Sequence, residues 1–252
     1  MDITGKKAIV VGGASGMGRA TAEALAAKGA IVAVLDREGS AGKDVATAIG
    51  GTFYPIDITD FDGAEETLAN AVTELGGLHI AVNTAGGGTV KKTLSRGKPH
   101  DLETFRNVVD LNLISTFNLN RLQAFHMSQN EPEDSERGVI INTSSIAAFE
   151  GQIGQVAYTA SKAGIAAMAL VMARDLGPQG IRVLAIAPSL FSTGATAAFT
   201  DEQVAPLVED AAFPKRMGRP EEYAKLAVAI VDNQMLNGQC LRLDAGQRFA
   251  PR

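Results

Sequence analysis

Seven short apolar runs divide the chain, and alanine-rich segments with helical periodicity separate them. Each run is almost continuously apolar, which is typical of strands buried on both faces. The runs are Lys7–Val11, Ile31–Leu35, Thr52–Ile56, Leu78–Val82, Val139–Thr143, Ile181–Ala187 and Gln239–Leu243. The helical segments include Met17–Lys28 and Leu102–Met127. This alternation predicts an α/β fold, in which a doubly wound, seven-stranded parallel sheet carries helices on both faces.

No linker, repeat or low-complexity tract interrupts the alternation, so we expect one domain over residues 1–252. A chain of this length with 46% hydrophobic residues can bury a sizeable core. Its net charge of −5 gives no reason to expect a nucleic-acid partner. The three histidines, His79, His100 and His126, lack the spacing of metal ligands, and no metal site is expected.

The chain has no apolar run of about 18 residues, and so no membrane span is expected. The first apolar run soon meets glycines and is too short for the core of a signal peptide. The single cysteine, Cys240, cannot form an internal disulfide, which fits a reducing compartment. The sequence therefore predicts a cytoplasmic protein.

The first predicted strand ends in a glycine-rich turn that leads directly into a helix. Gly12 permits a tight turn, Gly16 lets the backbone approach a phosphate, and Gly18 allows the helix to pack closely on the strand. A pyrophosphate would lie at the helix N-terminus, where free N–H groups and the helix dipole favour an anion. This context favours a Rossmann-type nucleotide site over a plain turn.

An acid at the end of the second predicted strand indicates which nucleotide is bound. Asp36 follows Gly18 by eighteen residues, and its carboxylate can accept hydrogen bonds from both ribose hydroxyls. The same carboxylate would repel a 2′-phosphate, which favours NAD over NADP. Arg37 points the other way, although a solvated surface arginine is the commoner case.

The stretch from Ser145 to Lys162 holds candidate catalytic residues. Tyr158 and Lys162 are four residues apart and share one face of a helix. An ammonium beside a phenol favours the phenolate, so Lys162 is expected to lower the pKa of Tyr158 from its usual value near 10. Ser145 follows a strand-like run and could bind the same substrate oxygen. Taken alone, the pair is more often a buried tyrosine and a surface lysine.

These elements together resemble the short-chain dehydrogenase/reductase family along the whole chain. Five motifs occur in the family's order: Gly12-x-x-x-Gly16-x-Gly18, Asp57-Ile58-Thr59, Asn83-Thr84-Ala85-Gly86, Asn112 within Asp110–Leu113, and Ser145 thirteen residues before Tyr158-x-x-x-Lys162. Two departures are Val11, where threonine is usual, and Ser189, which replaces the glycine of a Pro-Gly pair. They raise questions about the bracing of the glycine turn and the placement of the nicotinamide.

The resemblance implies roles for particular residues. Tyr158 is the general base, Ser145 binds the substrate oxygen, Lys162 holds the nicotinamide ribose, and Asn112 orders a water in a proton relay. Cofactor contacts are implied for Gly12, Ser15, Gly16, Met17, Gly18, Asp36, Asp57, Ile58, Asn83, Thr84, Ala85, Gly86, Tyr158, Lys162, Pro188, Phe191 and Thr193. Gln155 is a weaker candidate for a substrate contact and could equally be a helix-start residue.

Stretches near 130–132, 148–152 and 213–244 resemble a branch of this family that oxidises the 3-hydroxyl of short or branched acyl-CoA thioesters with NAD and accepts some steroids. The branch has an insertion after strand four, where residues 87–100 stand. Lys91, Lys92, Arg96 and Lys98 in it are candidates to bind coenzyme A, against an even alternative of a solvated loop. Residues 189–215 are expected to cover the acyl chain.

Two rivals to this function are an NADPH-dependent 3-oxoacyl-carrier-protein reductase and a non-catalytic NAD-binding scaffold. Asp36 argues against the first, and the intact set of catalytic residues argues against the second. The helix predicted over 156–176 is apolar nearly all round, which indicates burial on several faces. With the family's pairing of this helix across a two-fold axis, it predicts a homotetramer.

Overall fold

A parallel sheet of seven strands forms the centre of the computed structural model, which describes residues 1–251 apart from the side chains of Ala195 and Ala197. Its strands are β1 (Lys7–Val11), β2 (Ile31–Asp36), β3 (Thr52–Pro55), β4 (Ile80–Asn83), β7 (Gly138–Thr143), β8 (Ile181–Pro188) and β9 (Cys240–Leu243). A separate hairpin contains β5 (Leu94–Ser95) and β6 (Lys98–Pro99). The order β3-β2-β1-β4-β7-β8-β9 is that of a doubly wound fold, and the predicted fold class is confirmed.

At some helix starts, side chains satisfy the free N–H groups of the first turn. They are α1 (Gly16–Ala27), α2 (Gly42–Ala48), α3 (Phe61–Leu75), α4 (Leu102–Val109), α5 (Ser115–Ser128), α6 (Val156–Leu176), α7 (Asp201–Val204) and α8 (Pro220–Asp232). The carboxylate of Asp60 accepts from Gly63 N at the start of α3, and that of Asp101 accepts from Thr104 N at the start of α4. Pro220 occupies the first turn of α8, where no N–H is needed.

The sheet separates two apolar cores. Buried side chains from α1, α2 and α8 pack on one face, and buried side chains from α3, α5 and α6 pack on the other. All residues of β7 and β8 are buried, because these strands lie in the interior of the sheet and are covered on both faces. This accounts for their continuously apolar sequences.

The structure shifts the ends of most predicted elements by one residue, and it changes two elements further. The fourth strand runs over Ile80–Asn83 instead of Leu78–Val82, because it pairs with β1 from Ala8 to Val11 and Asn83 lies opposite Val11. The helix predicted over 102–127 is divided by a π-helical turn, Asp110–Ile114. That turn bulges the helix at Asn112, one of the candidate catalytic residues.

The stretch Val156–Gln179, which contains α6, is long and apolar enough to cross a membrane by length and composition alone, and 33% of it is buried. One side of α6 packs along β8 and contributes Ile165 and Ala169 to a small core cluster. Its other side carries exposed apolar residues such as Leu170 and Val171. A core helix with one uncovered apolar face explains the composition.

Stability should fall in mild acid because of His79. Its Nδ1 accepts from the backbone N–H of Lys7, and burial, aided by the ammonium group of Lys6, lowers the pKa of His79. Below pH ~6.5 the unfolded chain binds a proton that the folded protein resists, so the free energy of unfolding decreases as the pH falls.

We expect His79→Asn, which keeps an acceptor for Lys7 N–H, to make this decrease shallower in urea titrations between about pH 7 and pH 5. Burial also lowers the pKa of His126, so part of the slope remains in the variant. An identical slope in wild type and variant would contradict the assignment.

Candidate active site

The register of the sheet brings three loops together at one edge. Val11 pairs with Asn83, and Asn83 pairs with Asn142, so β1, β4 and β7 end at the same level. The glycine turn, the turn from Thr84 to Gly86 and the stretch that begins at Ser144 therefore meet beyond the carboxyl ends of the strands. Ligands of doubly wound folds bind at this edge.

A cleft of about 450 Å³ opens between the glycine turn and the turn after β4. Its lining contains most of the predicted cofactor residues, which are Gly12, Ser15, Gly16, Met17, Gly18, Asp36, Asp57, Ile58, Thr84, Ala85, Gly86 and Thr193. The N-terminus of α1 faces this cleft, as required for a bound pyrophosphate. The structure brings these residues together in one cleft, and their contacts with the cofactor remain a prediction.

The glycine turn is closely packed against the turn after β4. A Cβ atom on Gly18 would lie 2.1 Å from the carbonyl oxygen of Gly12, so no other residue fits there. The Thr84 hydroxyl donates to the carbonyl oxygen of Val11 at 2.9 Å and lies 3.3 Å from that of Gly12. Thr84 thus provides the bracing hydroxyl that Val11 lacks.

Two carboxylates stand at the adenosine end of the cleft. Asp36 accepts from the backbone N–H groups of Ala14 (2.9 Å) and Arg37 (2.8 Å), so it also supports the glycine turn. Asp57 accepts from the N–H and hydroxyl of Thr59, which hold its pKa below the usual range, and the guanidinium of Arg37 adds to this effect. Arg37 lines the cleft and has an acidic neighbour in it.

Asn83 was predicted to contact the cofactor, but it does not line the cleft. Its side chain is buried in a cluster of four amides, where Asn83 Nδ2 lies within 3.0 Å of oxygens of Asn120, Gln123 and Asn142. Gln123 Nε2 returns a hydrogen bond to Asn83 Oδ1 at 2.8 Å. Asn83 precedes the cofactor turn, and its buried side chain is held in place by hydrogen bonds to the neighbouring amides.

A second cavity of about 250 Å³ adjoins the cofactor cleft and shares Met17, Thr84, Gly86 and Thr193 with it. Its lining contains the candidate catalytic and nicotinamide residues Ser145, Tyr158, Lys162, Pro188 and Phe191. Chain segments far apart in sequence therefore meet in one cavity. This cavity is where a substrate would meet the nicotinamide.

Tyr158 and Ser145 face each other across this cavity. The phenol of Tyr158 is hydrogen-bonded to the Ser145 hydroxyl, which also accepts from Ala147 N at 3.1 Å. Burial raises the pKa of Tyr158, and the hydrogen bond from Ser145 opposes this only in part. At neutral pH the phenol is protonated and can donate to a carbonyl oxygen.

Lys162 does not lower the pKa of Tyr158 in this structure, contrary to expectation. Its Nζ donates to the carbonyl oxygen of Thr143 at 2.8 Å and lies 5.6 Å from the centre of the Tyr158 ring. The side chain is 3% exposed, and burial lowers its pKa to about 8. The cation is directed to the strand end because only there does it find an acceptor in its low-dielectric site.

Asn112 is fully buried and holds the start of the insertion. Its Nδ2 donates to the carbonyl oxygens of Gly87 (2.6 Å) and Val108 (2.8 Å), and its Oδ1 accepts from Gly87 N. A Cβ on Gly86 would lie 2.7 Å from Asn112 Oδ1 and 3.3 Å from Lys162 Nζ, so both groups flank Gly86. The predicted relay role remains a prediction; the contacts show an anchoring role.

Local contacts bear on two further residues. Gln155 is the residue before α6, its Oε1 accepts from Gln152 N at 3.0 Å, and it does not line the catalytic cavity. Its contact with a substrate remains a prediction. Ser189, in place of the usual glycine, lines the cavity and donates its N–H to Leu243 at 3.1 Å.

The proposed lid, residues 189–215, has both buried and exposed apolar residues. Phe191 and Val208 are buried, whereas Phe199 and Leu207 are 39% and 38% exposed. The Phe191 ring lies against Gly218, where a Cβ would be 2.6 Å from the ring. Phe191 is therefore fixed against Gly218, whereas Phe199 and Leu207 are partly exposed; the lid itself remains a prediction.

The C-terminal stretch 244–251 connects the lid to the loop before Tyr158, a contact that the sequence did not predict. Gln247, 2% exposed, donates to the carbonyl oxygen of Leu207 at 2.8 Å. Ile153 N donates to the carbonyl oxygen of Pro251 at 3.0 Å. Arg242, at the end of β9, forms two hydrogen bonds with Glu150. The tail thus links the predicted lid to the loop before Tyr158.

The insertion forms the β5–β6 hairpin, and its base packs on the same loop. Lys91 N donates to Gly154 O at 2.8 Å, and the Lys91 side chain is ion-paired with Asp101. Lys92, Arg96 and Lys98 are exposed and have no ion pair within residues 1–251. Three of the four basic groups are therefore available to an anion, and one is not.

Residues 6–204 match the short chain dehydrogenase family, and the chain belongs to that family. The 3-hydroxyacyl-CoA dehydrogenase type-2 of Homo sapiens is 46% identical, over 99% of this chain and 97% of that protein. The solved structure of 3-hydroxyacyl-CoA dehydrogenase type-2 from Mycobacterium avium has a TM-score of 0.94 and 40% identity, with 98% of each chain covered. A 7α-hydroxysteroid dehydrogenase in complex with NADH and 7-oxo glycochenodeoxycholic acid has a TM-score of 0.87 and 30% identity, covering 99% and 97%.

Cofactor choice tests the assignment of Asp36. We expect the wild type to bind NADH more tightly than NADPH, and Asp36→Asn to narrow the difference about tenfold, which corresponds to a repulsion of about 1.4 kcal/mol. Asparagine keeps an acceptor for Ala14 N, so the glycine turn stays supported. Asp36→Ala would remove both the negative charge and that acceptor. Fluorescence titration with each cofactor measures this. A wild-type preference for NADPH would contradict the assignment and point to Arg37.

Proposed function

We propose that the protein is an NAD-dependent dehydrogenase that oxidises the 3-hydroxyl of short or branched 3-hydroxyacyl-CoA thioesters, reversibly, and takes hydroxysteroids as secondary substrates. The observation that carries the proposal is the meeting of Ser145, Tyr158 and Lys162 in a cavity that opens into the cofactor cleft. An acyl-CoA thioester as the substrate is supported by relatives of 40% identity or more that are named 3-hydroxyacyl-CoA dehydrogenase type-2. The steroid dehydrogenase supports the secondary substrates.

The catalytic residues divide the work of proton transfer. NAD, when bound, supplies the hydride acceptor for alcohol oxidation. In oxidation Tyr158 acts as its phenolate, which takes the proton of the substrate hydroxyl, and in the reverse direction its protonated phenol donates to the carbonyl oxygen. Ser145, hydrogen-bonded to the same phenol, stabilises the charge that develops on the substrate oxygen. Because burial raises the pKa of Tyr158, oxidation should speed up as the pH rises.

The two rival functions fit the site less well. A reductase specific for NADPH needs a positive site for the 2′-phosphate, and Asp36 occupies that end of the cleft with a negative charge. A binding scaffold needs no proton donor in its cavity, yet the Tyr158 hydroxyl faces Ser145 there. Both features favour a dehydrogenase that uses NAD.

Removing one phenolic oxygen tests the mechanism. We expect Tyr158→Phe to lower kcat for reduction of acetoacetyl-CoA by at least about 100-fold, the contribution of a general acid. The NADH dissociation constant should not change, since the phenol is needed for proton transfer only. Tyr54→Phe, on the edge strand β3, is the matched control and should retain full activity. Wild-type kcat in Tyr158→Phe would exclude the mechanism.

The exposed basic groups of the insertion are proposed to bind the phosphates of coenzyme A. Lys92, Arg96 and Lys98 lie on the hairpin beside the loop that leads to Tyr158. Coenzyme A carries several negative charges, and lysine and arginine are their natural partners. Lys91 is ion-paired with Asp101, so it is the least available of the four basic groups.

We expect Lys92→Gln with Lys98→Gln to raise KM for acetoacetyl-CoA about threefold at low ionic strength, and less at high salt because exposed charges are screened. Arg96 is left unchanged because its φ of 50° makes substitution there a change of backbone as well. A ketone without coenzyme A should keep its KM. Lys43→Gln with Lys225→Gln removes the same charge elsewhere as a control. Equal KM values for the two double variants would contradict the proposal and show that the basic groups of the hairpin are merely solvated.

The assembly is proposed to be a homotetramer. An apolar groove lies between α5 and α6, lined in part by Phe117, Phe125, Met172 and Leu176, and Leu170 and Val171 beside it are exposed. β9 has an open edge at the end of the sheet, which offers a second contact. Exposed apolar surface of this kind is covered by partner chains in oligomers, and we propose no membrane contact.

Light scattering of the purified protein at micromolar concentration should give the mass of four chains. Leu170→Lys with Val171→Lys should reduce that mass, because two buried charges would oppose the contact. A monomer in the wild type would contradict the proposal, and binding to lipid vesicles would show that lipid covers this face instead.

We further propose a cytoplasmic enzyme of fatty acid metabolism. Cys240 is a free, half-buried thiol, which a reducing compartment tolerates. Cell fractionation with an antibody to the chain would test the location.

A further inference from the structure

Thr143 and Tyr223 form a buried hydrogen-bonded pair that the proposed mechanism does not use. Tyr223 is completely buried on α8, and Thr143 is the last residue of β7. The two hydroxyl oxygens are 2.7 Å apart. Thr143 Oγ1 also lies 2.7 Å from the carbonyl oxygen of Asn83, at the end of β4.

The direction of these hydrogen bonds follows from their chemistry. The carbonyl oxygen of Asn83 can only accept, so the single proton of the Thr143 hydroxyl is donated to it. Tyr223 must then donate its own proton to Thr143 Oγ1. The order Tyr223 to Thr143 to Asn83 satisfies both buried hydroxyl groups, and each bond in such a chain strengthens the next.

This short chain joins two strand ends that carry different parts of the active site. Asn83 is followed by the turn from Thr84 to Gly86, which lines the cofactor cleft. The carbonyl oxygen of Thr143 accepts from Lys162 Nζ at 2.8 Å, and Ser144 and Ser145 follow it. The Thr143 side chain thus ties the cofactor turn to the strand end that holds the buried ammonium group.

We propose that Tyr223 and Thr143 are positioning residues, which hold the ends of β4 and β7 together and so keep Lys162 and the cofactor turn in their working arrangement. The inference rests on the proposed function. The alternative is that Tyr223 only fills volume in the core formed with α1 and α8. Phenylalanine would then serve as well as tyrosine.

Kinetics of acetoacetyl-CoA reduction with NADH separates the two. We expect Tyr223→Phe to lower kcat about fivefold, the effect of one neutral hydrogen bond, with KM unchanged within about twofold. Thr143→Val, which keeps the shape, should lower kcat at least as much, and Thr143→Ser, which keeps the hydroxyl, should restore it. The double variant with Tyr223→Phe and Thr143→Val should be no slower than Thr143→Val alone, because both changes break one chain.

Hydrogen exchange measured by mass spectrometry gives a second reading that needs no turnover. Segments 80–87 and 141–146 should exchange faster in Tyr223→Phe and Thr143→Val. Ile230→Val, a buried change on the same helix, should leave those segments and kcat as in the wild type while lowering Tm.

Wild-type kcat and exchange in Tyr223→Phe would overturn the inference, and so would additive losses in the double variant or the same losses in Ile230→Val. A wild type inactive on acetoacetyl-CoA and on a small ketone would instead show that the proposed function is wrong. Hydrogen exchange would then test the link between the ends of β4 and β7 without turnover. Faster exchange in both Tyr223→Phe and Thr143→Val would support the link, and unchanged exchange would overturn it.

Discussion

A buried ammonium group needs hydrogen-bond acceptors, and the active site is built around this need of Lys162. With water nearly excluded, the group finds its acceptor in the carbonyl oxygen at the end of β7. Its lowered pKa of about 8 shows how weakly the site holds the charge. The turn after β4 passes so close to it that Gly86 cannot carry a side chain without crowding. The ammonium group of Lys162 on α6 therefore contacts both the cofactor turn and the end of β7.

Most polar side chains inside the sheet are paired with one another, although Asn142 Nδ2 is buried without a hydrogen-bond partner among the described residues. The amide cluster of Asn83, Asn120, Gln123 and Asn142 lies beneath the cofactor turn, between β4, β7 and α5. Such a cluster has few alternative arrangements, because each unpaired buried amide costs about 1–3 kcal/mol. The amide cluster therefore helps to fix the position of the cofactor turn above it, and hydride transfer needs such fixed positions.

Local pattern predicted the fold, because strand periodicity and turns of fixed length are visible in the sequence. The glycine turn and the resemblance to a family with five ordered motifs indicated the residues that the structure brings together in the cleft and the catalytic cavity. Contacts between distant segments were not predictable. The acceptor of Lys162, the brace that Thr84 provides and the link between Gln247 and Leu207 depend on register and on chain packing. The π-helical turn at Asn112 was also missed, since Asp110–Ile114 contains no proline or glycine to mark a break in the helix.

The tail that links the predicted lid to the loop before Tyr158 has a consequence for biosynthesis. Residues 1–143 supply the glycine turn, the cofactor turn and five strands of the central sheet, and they are translated first. Gln247, Ala250 and Pro251, through which the tail contacts the lid and that loop, are made more than a hundred residues later. The strands and turns that line the nucleotide cleft thus leave the ribosome well before the segment that joins the lid to the catalytic loop.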